Sequence, residues 1–595
     1  MELKTLKKSF YSSIRLEVCF MPENKPANRI QKDAEILGSE QLVRCLEQEK
    51  TEYIFAYPGG TSMAVHQALL NSSIKVVLPR HEQGGGFAAN GYARKSGRAG
   101  VCLVTSGPGA TNLVTAIADA YMDSIPMVFL TCQVDQHLIG KNAFQETDVI
   151  GMTRPFVKHS YLVFKADEIA QVIKDAFFLA TNNRPGPIVV DIPCDVLSEK
   201  CEPRIARFPS LKDYDFIPVV SDIEIQAVLN LLKCSKRPCI YAGGGVIHSG
   251  TSELLKKFAD VYHIPVTTTL MGIGAFPENH PLSLKMVGMH GSYAANRAIH
   301  ECDLLLGICV RFSDRVTGDI EHFAPKAKIV HVDIDLSEIN KNKHADLAVV
   351  CSVKTFFEKL LDRSQKLDTD PWLKQVAQWK KEYPFLVPES DNNVIQPQKV
   401  VQVVYELTRG KATIVTGVGQ HQMWAAQLYN FYHPRQLLTS GGLGAMGFGL
   451  PAAIGAQLAA PKEQVVLLDG DGSFQMNIQE LATVFSENLP LKMILFNNQC
   501  LGMVSQWETR FKNGRHANTD LRIKRAGRPY PDFCMIAKGY MIPGREVYKK
   551  DELIDAVQWM LNLTGPALLD VHVDKDAEVL PMIPPGKTSK DIILK

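Results

Sequence analysis

Hydrophobic and polar positions along this chain repeat a two-part rhythm. Short apolar runs, the length of buried parallel strands, pass at once into glycines and small polar residues, and then into stretches with helical spacing. The clearest instance spans Asp469 to Trp507. Val465-Val466-Leu467-Leu468 runs into Asp469-Gly470-Asp471-Gly472-Ser473, and Met493-Ile494-Leu495-Phe496 runs into Asn497-Asn498-Gln499-Cys500. Between them, Asn477 to Glu487 sets Ile478, Leu481, Ala482 and Phe485 on one helical stripe that opens on a capping residue. This reads as a β-α-β unit. Its right-handed crossover brings both strand ends to one sheet edge, where open α/β sheets bind ligands.

The same rhythm predicts three doubly wound, parallel-sheet α/β domains, over residues 36–202, 218–364 and 395–575. An N-terminal extension (1–35) precedes them and a tail (576–595) follows. The first domain has strand-like runs at residues 53–56, 76–78, 100–105, 127–130 and 188–192, several ending in glycine-rich loops. Pro203 to Ser221 reads as a linker, and the charged, helical stretch from Gln365 to Val394 as a second connecting segment. The first and third domains share one organisation, which two halves of a site facing each other would explain.

Asp471 and Asn498 place a carboxylate and an amide oxygen together, and hard oxygen donors beside glycines suit Mg²⁺ with a phosphate. Glu82 follows a strand and opens a helix, with Gly84-Gly85-Gly86 behind it. Three glycines there each cost about 1 kcal/mol against alanine, unless something bulky packs on that turn. Alone, Glu82 also reads as a favourable helix-dipole contact, and the loop from Ser106 to Asn112 as a turn and cap. In the second domain, Gly243-Gly244-Gly245 fits a dinucleotide turn without strict GxGxxG spacing, and Asp333 and Asp335, at a strand end, read as a ribose-hydroxyl contact or as solvated loop acids. Arg311 and Arg315 flank Asp314 and read as an anion contact or a surface ion pair.

Composition changes little. At 595 residues with 46% hydrophobic content and a formal charge of +2, the chain shows no bias toward nucleic acid or membrane. The 13 cysteines form no CxxC pair, so buried thiols in a reduced cytoplasm and no zinc are expected. The basic start (Lys4, Lys7, Lys8, Arg15) lacks a signal-type core. A bacterial cytoplasmic location is expected, with an organelle transit peptide as the alternative.

The GDG motif at residues 470–472, separated by twenty-four residues from Asn497-Asn498, resembles the thiamine-diphosphate-dependent enzymes. More narrowly the chain resembles the acetohydroxyacid (acetolactate) synthase catalytic subunits. The resemblance rests on residues 57–60, 80–84, 105–112, 143–148, 288–291, 311–318 and 502–507. It implies a pyrimidine-binding first domain, an FAD-binding central domain and a diphosphate-binding third domain. Asp471, Asn498 and the Cys500 carbonyl would hold Mg²⁺. Pro58, Gly419, Gln420, His421, Gly470, Gly472 and Ser473 would contact thiamine diphosphate, and Met446 and Met503 would impose its bent shape. Glu82, from a partner subunit, would hydrogen-bond the aminopyrimidine, with Gly59, Phe144 and Gln145 at the active-site channel. FAD, in a structural role, would meet Gly243, Gly244, Met289, His290, Gly291, Arg311, Asp314, Arg315 and Asp333.

The implied reaction decarboxylates pyruvate and condenses the remaining fragment with pyruvate or 2-oxobutyrate, giving 2-acetolactate or 2-aceto-2-hydroxybutyrate. Trp507, with Met503, would set acceptor choice. A homodimer or homotetramer with a small regulatory subunit is implied. Four places depart from the family pattern: Cys194 for lysine, Cys132 for glycine, Ser313 for aspartate and Gly85-Gly86 for alanines. Loss of the lysine weakens attraction of anionic substrates by up to about 1 kcal/mol. A sister carboligase or oxidase, a non-catalytic paralogue and a generic nucleotide-binding protein are the competing readings. Retention of Glu82, Asp471 and Asn498 disfavours the second.

Overall fold

Apolar runs such as Met127–Gln133, Pro187–Pro193 and Lys492–Asn497 are buried along their whole length, as strands covered by helices on both faces must be. The computed structural model describes residues 35–211, 217–363, 366–389 and 393–595. Residues 1–34, on which the transit-peptide reading falls, lie outside the described residues. Within them three six-stranded sheets form, with every ladder parallel. Numbered along the chain within each sheet, the strands of the first lie in the order 2-1-3-4-6-5, and those of the third repeat it. The second sheet has the order 3-2-1-4-5-6, that of dinucleotide-binding folds.

Several expectations are corrected. The helix expected from Asn477 instead begins at Asp471, directly off the strand, and breaks at Asn477 (φ −132°, ψ 30°) before resuming as Leu481–Ser486. Asn477 is no cap: its amide donates to the Gly447 carbonyl at 2.8 Å and to Gln83 Oε1 at 3.2 Å. The first sheet gains the strand His159–Leu162, whose polar, edge-strand composition hid it. In the stretch read as a second connector, helix Asp370–Glu382 packs on the second sheet, and Trp372 Nε1 donates to the Pro238 carbonyl at 3.0 Å.

The first and third sheets meet through two helices, Glu82–Ser96 and Gly449–Ala459. A Cβ on Gly91 would lie 2.1 Å from the Ala452 oxygen, and one on Gly455 would lie 1.8 Å from the Ala88 oxygen. The backbones therefore touch directly. Beside them the Arg94 guanidinium, itself buried, pairs with Asp119 at 3.0 Å and Asp123 at 2.9 Å. Asp119 also accepts the Ser440 hydroxyl, and Asp123 accepts the amides of Gly441 (2.9 Å) and Gly442 (2.7 Å). Burial pushes the Asp119 carboxyl up to about 6, against the pull of Arg94.

Alanine for glycine inside a helix ordinarily stabilises by roughly 1 kcal/mol. At Gly455 the sign reverses: Gly455→Val is predicted to destabilise by about 3 kcal/mol, the upper end for overpacking, because a carbonyl is a poor atom to displace. Urea unfolding checks this, with Gly565→Ala, which meets open space, as the silent control.

Candidate active site

In each doubly wound sheet the chain reverses strand order at one point, and loops diverging there leave a crevice. In the third sheet that point lies between Thr413–Thr416 and Val465–Gly470. One strand ends in Gly417-Val418-Gly419-Gln420-His421 and the other leads into Asp471. A Cβ on Gly417 would fall 1.8 Å from Asp469 Oδ1, so that only glycine fits. His421 Nε2 stands 3.4 Å from Asp469 Oδ1; burial drives its ring down to about 3, so it is neutral. A Cβ on Gly470 would lie 2.9 Å from His421 Nδ1.

Asp471 is buried, and burial pushes its carboxyl up to about 7. Among the described residues no cation pairs with it. Asn498 Oδ1 accepts the Cys500 amide at 3.0 Å. A Cβ on Gly502 would lie 2.2 Å from Gln420 Oε1 and 2.6 Å from Asn498 Nδ2, which puts these two side chains side by side. Gln420 Nε2 donates to Gln506 Oε1 and to the Ala577 carbonyl, both at 2.9 Å, but its Oε1 is buried without a partner. Asp469 Oδ2 is likewise orphaned. Met446 lies over Gly472, its methyl 3.7 Å from where a Cβ would be; Ser473 is buried and its hydroxyl accepts the Gly447 amide at 3.2 Å. A cradle of glycines with unpartnered buried oxygens and an unpaired carboxylate suits a diphosphate and a hard cation.

At the first sheet's reversal the loops at 57–62 and 105–112 converge. Pro58 is exposed; Gly59 donates its amide to Ser62 Oγ at 3.0 Å, and a Cβ there would lie 2.5 Å from Thr105 Oγ1. Thr61 Oγ1 lies 3.0 Å from Thr105 Oγ1 and accepts the Ser106 amide at 3.1 Å. Gln145, with φ +59°, rests on Gly107, and Phe144 is 87% exposed. Glu82 is half-buried, and its Oε2 accepts from the Asn112 amide at 2.9 Å. Asn112 went unremarked as a Glu82 partner in the sequence, since no spacing rule links residues thirty apart. The bulky groups on the glycine turn are Glu480 against Gly84, Pro79 against Gly85, and Ala116 with Leu113 against Gly86.

In the second sheet, Gly243 passes so close that a Cβ would lie 1.9 Å from the Cys309 oxygen, and Gly244 faces Met271. Asp333 is buried and pushed up to about 6, its Oδ1 accepting the Asp335 amide at 2.9 Å. Arg184, overlooked in the sequence, crosses from the first unit to Asp335 (2.9 Å) and Glu338 (2.5 Å). Arg311 donates to the Met122 carbonyl at 2.6 Å. Met289 donates its amide to the Arg315 carbonyl at 2.9 Å, and His290, pushed down to about 4 by burial, contacts the Pro581 carbonyl at 3.4 Å. Gly291 closes a turn against Val287. Asp314 is largely exposed, 3.9 Å from Arg315.

One cavity of about 700 Å³ joins these units. On its central-domain side it is lined by Gly244, Met289, His290, Arg311, Arg315 and Asp333, and on the other by Gly419, Met446, Met503 and Trp507. The Arg315 guanidinium lies over the Trp507 ring at 5.4 Å. Glu82, Gly59, Phe144, Gln145, Asp471 and Asn498 are not on its walls. The chain thus brings the third-domain glycines, Met446 and Met503 to the central-domain residues, and leaves the Glu82 group apart.

Three family profiles match in order: the N-terminal TPP binding domain of thiamine pyrophosphate enzymes over residues 36–152, their central domain over 225–360, and their C-terminal TPP binding domain over 417–571. Acetolactate synthase 1, chloroplastic, of Zea mays is 52% identical over 567 residues, covering 94% of this chain and 88% of that protein. Acetolactate synthase 3, chloroplastic, of Brassica napus is 50% identical, covering 95% and 88%, and the Arabidopsis thaliana chloroplastic enzyme is 49% identical, covering 95% and 86%. These chloroplastic relatives overturn the bacterial cytoplasmic location expected from the sequence. With nearly its whole length aligned to them, the chain belongs to the acetolactate synthase family of thiamine pyrophosphate enzymes, and it has that family's thiamine-diphosphate-dependent activity in branched-chain amino-acid biosynthesis.

Proposed function

We propose that this acetolactate synthase joins pyruvate to pyruvate or 2-oxobutyrate at a site shared by two copies of the chain. The observation that carries it is that one cavity runs from Asp333 to Met446, Met503 and Trp507, while Glu82 on the first domain lies outside its walls, as Asp471 and Asn498 do. A second copy supplying Glu82 completes the site, as a homodimer or homotetramer. A small regulatory subunit and a plastid location are further parts of the reading, carried by the family and by the relatives' chloroplastic names. FAD would take the central-domain side of the cavity, where the strand order 3-2-1-4-5-6 suits a dinucleotide.

Asp471, Asn498 and the Cys500 carbonyl would hold Mg²⁺, and that cation would compensate the buried Asp471 carboxylate. The amides near Gly419, Gly472 and Ser473, with Gln420 and His421, receive the diphosphate. When bound, thiamine diphosphate supplies the nucleophilic carbon and stabilises the charge left by decarboxylation. Glu82 of the partner subunit holds a proton at the aminopyrimidine ring nitrogen; its Oε2 is tethered by Asn112 and its Oε1 remains for that bond. Met446 and Met503, on the cavity wall, would bound the cofactor and exclude water. Arg315, lying over Trp507, receives the carboxylate of the incoming 2-oxo acid, and the ring bounds the space for its methyl or ethyl group.

Two measurements test the reading. With thiamine diphosphate, Mg²⁺ and FAD supplied, Glu82→Gln is expected to slow acetolactate formation from pyruvate by about 10²–10⁴-fold, the usual worth of a positioned proton-transfer group. Unchanged turnover would remove Glu82 from the mechanism. In competition between pyruvate and 2-oxobutyrate, Trp507→Leu is expected to change the product ratio by about 10-fold or more toward 2-acetolactate, since one methylene in an apolar pocket is worth that much. An unaltered ratio would place acceptor choice elsewhere.

A further inference from the structure

We propose that Glu480 is a positioning residue for Glu82: its buried carboxylate sets the turn from which Glu82 is presented. The proposal rests on the role assigned above to Glu82, and it concerns a residue that touches neither substrate nor cofactor.

Glu480 belongs to the irregular segment that leaves Asp471, and it is 1% exposed. Its Oε1 accepts the Arg80 backbone N–H at 2.9 Å, two residues before Glu82. Its Oε2 accepts the Thr483 hydroxyl at 2.7 Å, which fixes the carboxylate plane. On the other side of Glu82, a Cβ at Gly84 would lie 2.3 Å from Glu480 Oε1. Glycine at 84 is therefore the condition for the carboxylate to lie against the first turn of helix Glu82–Ser96. Asn477, from the same segment, donates to Gln83 Oε1 at 3.2 Å.

Three neighbours of Glu82 are thus gripped by one segment, while Glu82 itself is left to Asn112. A packing role alone would be served by an apolar side chain. A carboxylate in a buried place is costly unless each oxygen has a donor, and here each has one. It also lies at the N-terminal end of a fifteen-residue helix, where negative charge is favoured. Displacing such a turn by about 1 Å is enough to lose up to 10²-fold in rate.

The test reads exchange of the cofactor's C2 hydrogen for deuterium on the enzyme in D₂O, by quenched NMR, together with thiamine diphosphate affinity. Glu480→Ala is expected to slow exchange by about 10- to 100-fold while affinity stays within about threefold. Glu480→Gln retains an oxygen for the Arg80 amide and is expected to recover most of the rate; Glu480→Asp, one methylene short, is not. In a Glu82→Gln background, Glu480→Ala is expected to add no further loss, since residues acting through one another are not additive. In the cofactor-free protein, backbone amide exchange in Glu480→Ala is expected to rise at residues 78–86 and stay level elsewhere. An additive loss in the Glu82→Gln background would overturn the proposal, as would a fall in affinity matching the fall in rate, or Gln performing no better than Asp. Glu82→Gln alone leaving C2 exchange intact would instead refute the role of Glu82, so the two failures are distinguishable.

Discussion

The backbone contact between helices Glu82–Ser96 and Gly449–Ala459 is the constraint on which the rest depends. Gly91 and Gly455 let two helices approach until carbonyl oxygens occupy the places of side chains. Helices so close exclude water, and the Arg94–Asp119–Asp123 group beside them is therefore buried with its charges paired. Such a cluster is weak evidence of net stability, because desolvation offsets attraction, but its removal piecemeal strands a charge. Its geometric effect is plain. Asp123 holds the amides of Gly441 and Gly442 on the loop that leads to Met446, so the inter-helix contact fixes one wall of the cavity.

From that contact the two like sheets acquire their relation to the third. The first and third units share strand order 2-1-3-4-6-5 and join face to face through those helices. The central unit, with its dinucleotide order, closes the cavity from outside. Arg184 reaches from the first unit to Asp335 and Glu338, and residues 577–583 bind the third unit to the second. Glycine recurs wherever two loops cross, at 243 under Cys309 as at 417 over Asp469.

What was legible in the sequence follows physical range. Buried strands such as Val465–Gly470 announce themselves by unbroken apolar runs, and the ligand-bearing loops by glycines directly after them. The class of fold and its three parallel-sheet units were readable this way, whereas Gly419 and Gln420 were joined to Asp471 only through the family resemblance. Local rules failed where tertiary contacts decide. Asn477 looked like a helix cap because an amide is a good cap, but two distant partners hold it out of the helix. The polar strand His159–Leu162 carries no alternation, since one ladder and an exposed edge suffice for it. Asn112, Arg184 and Glu480 act across thirty to four hundred residues of chain, and no spacing pattern reaches that far.

The tail acts as a strap across two units. Gln420 donates to the Ala577 carbonyl, Val579 donates to Gln506, and Ile583 donates to the Met289 carbonyl. Met582 and Ile593 bridge to hold that path. Residues 577–593 thus form a strap that ties the Gly419–His421 loop and helix Gly502–Phe511 to the central unit while adding no strand to any of the three sheets. A protease that clips this strap would leave the sheets and the inter-helix contact in place and free that loop from the central unit.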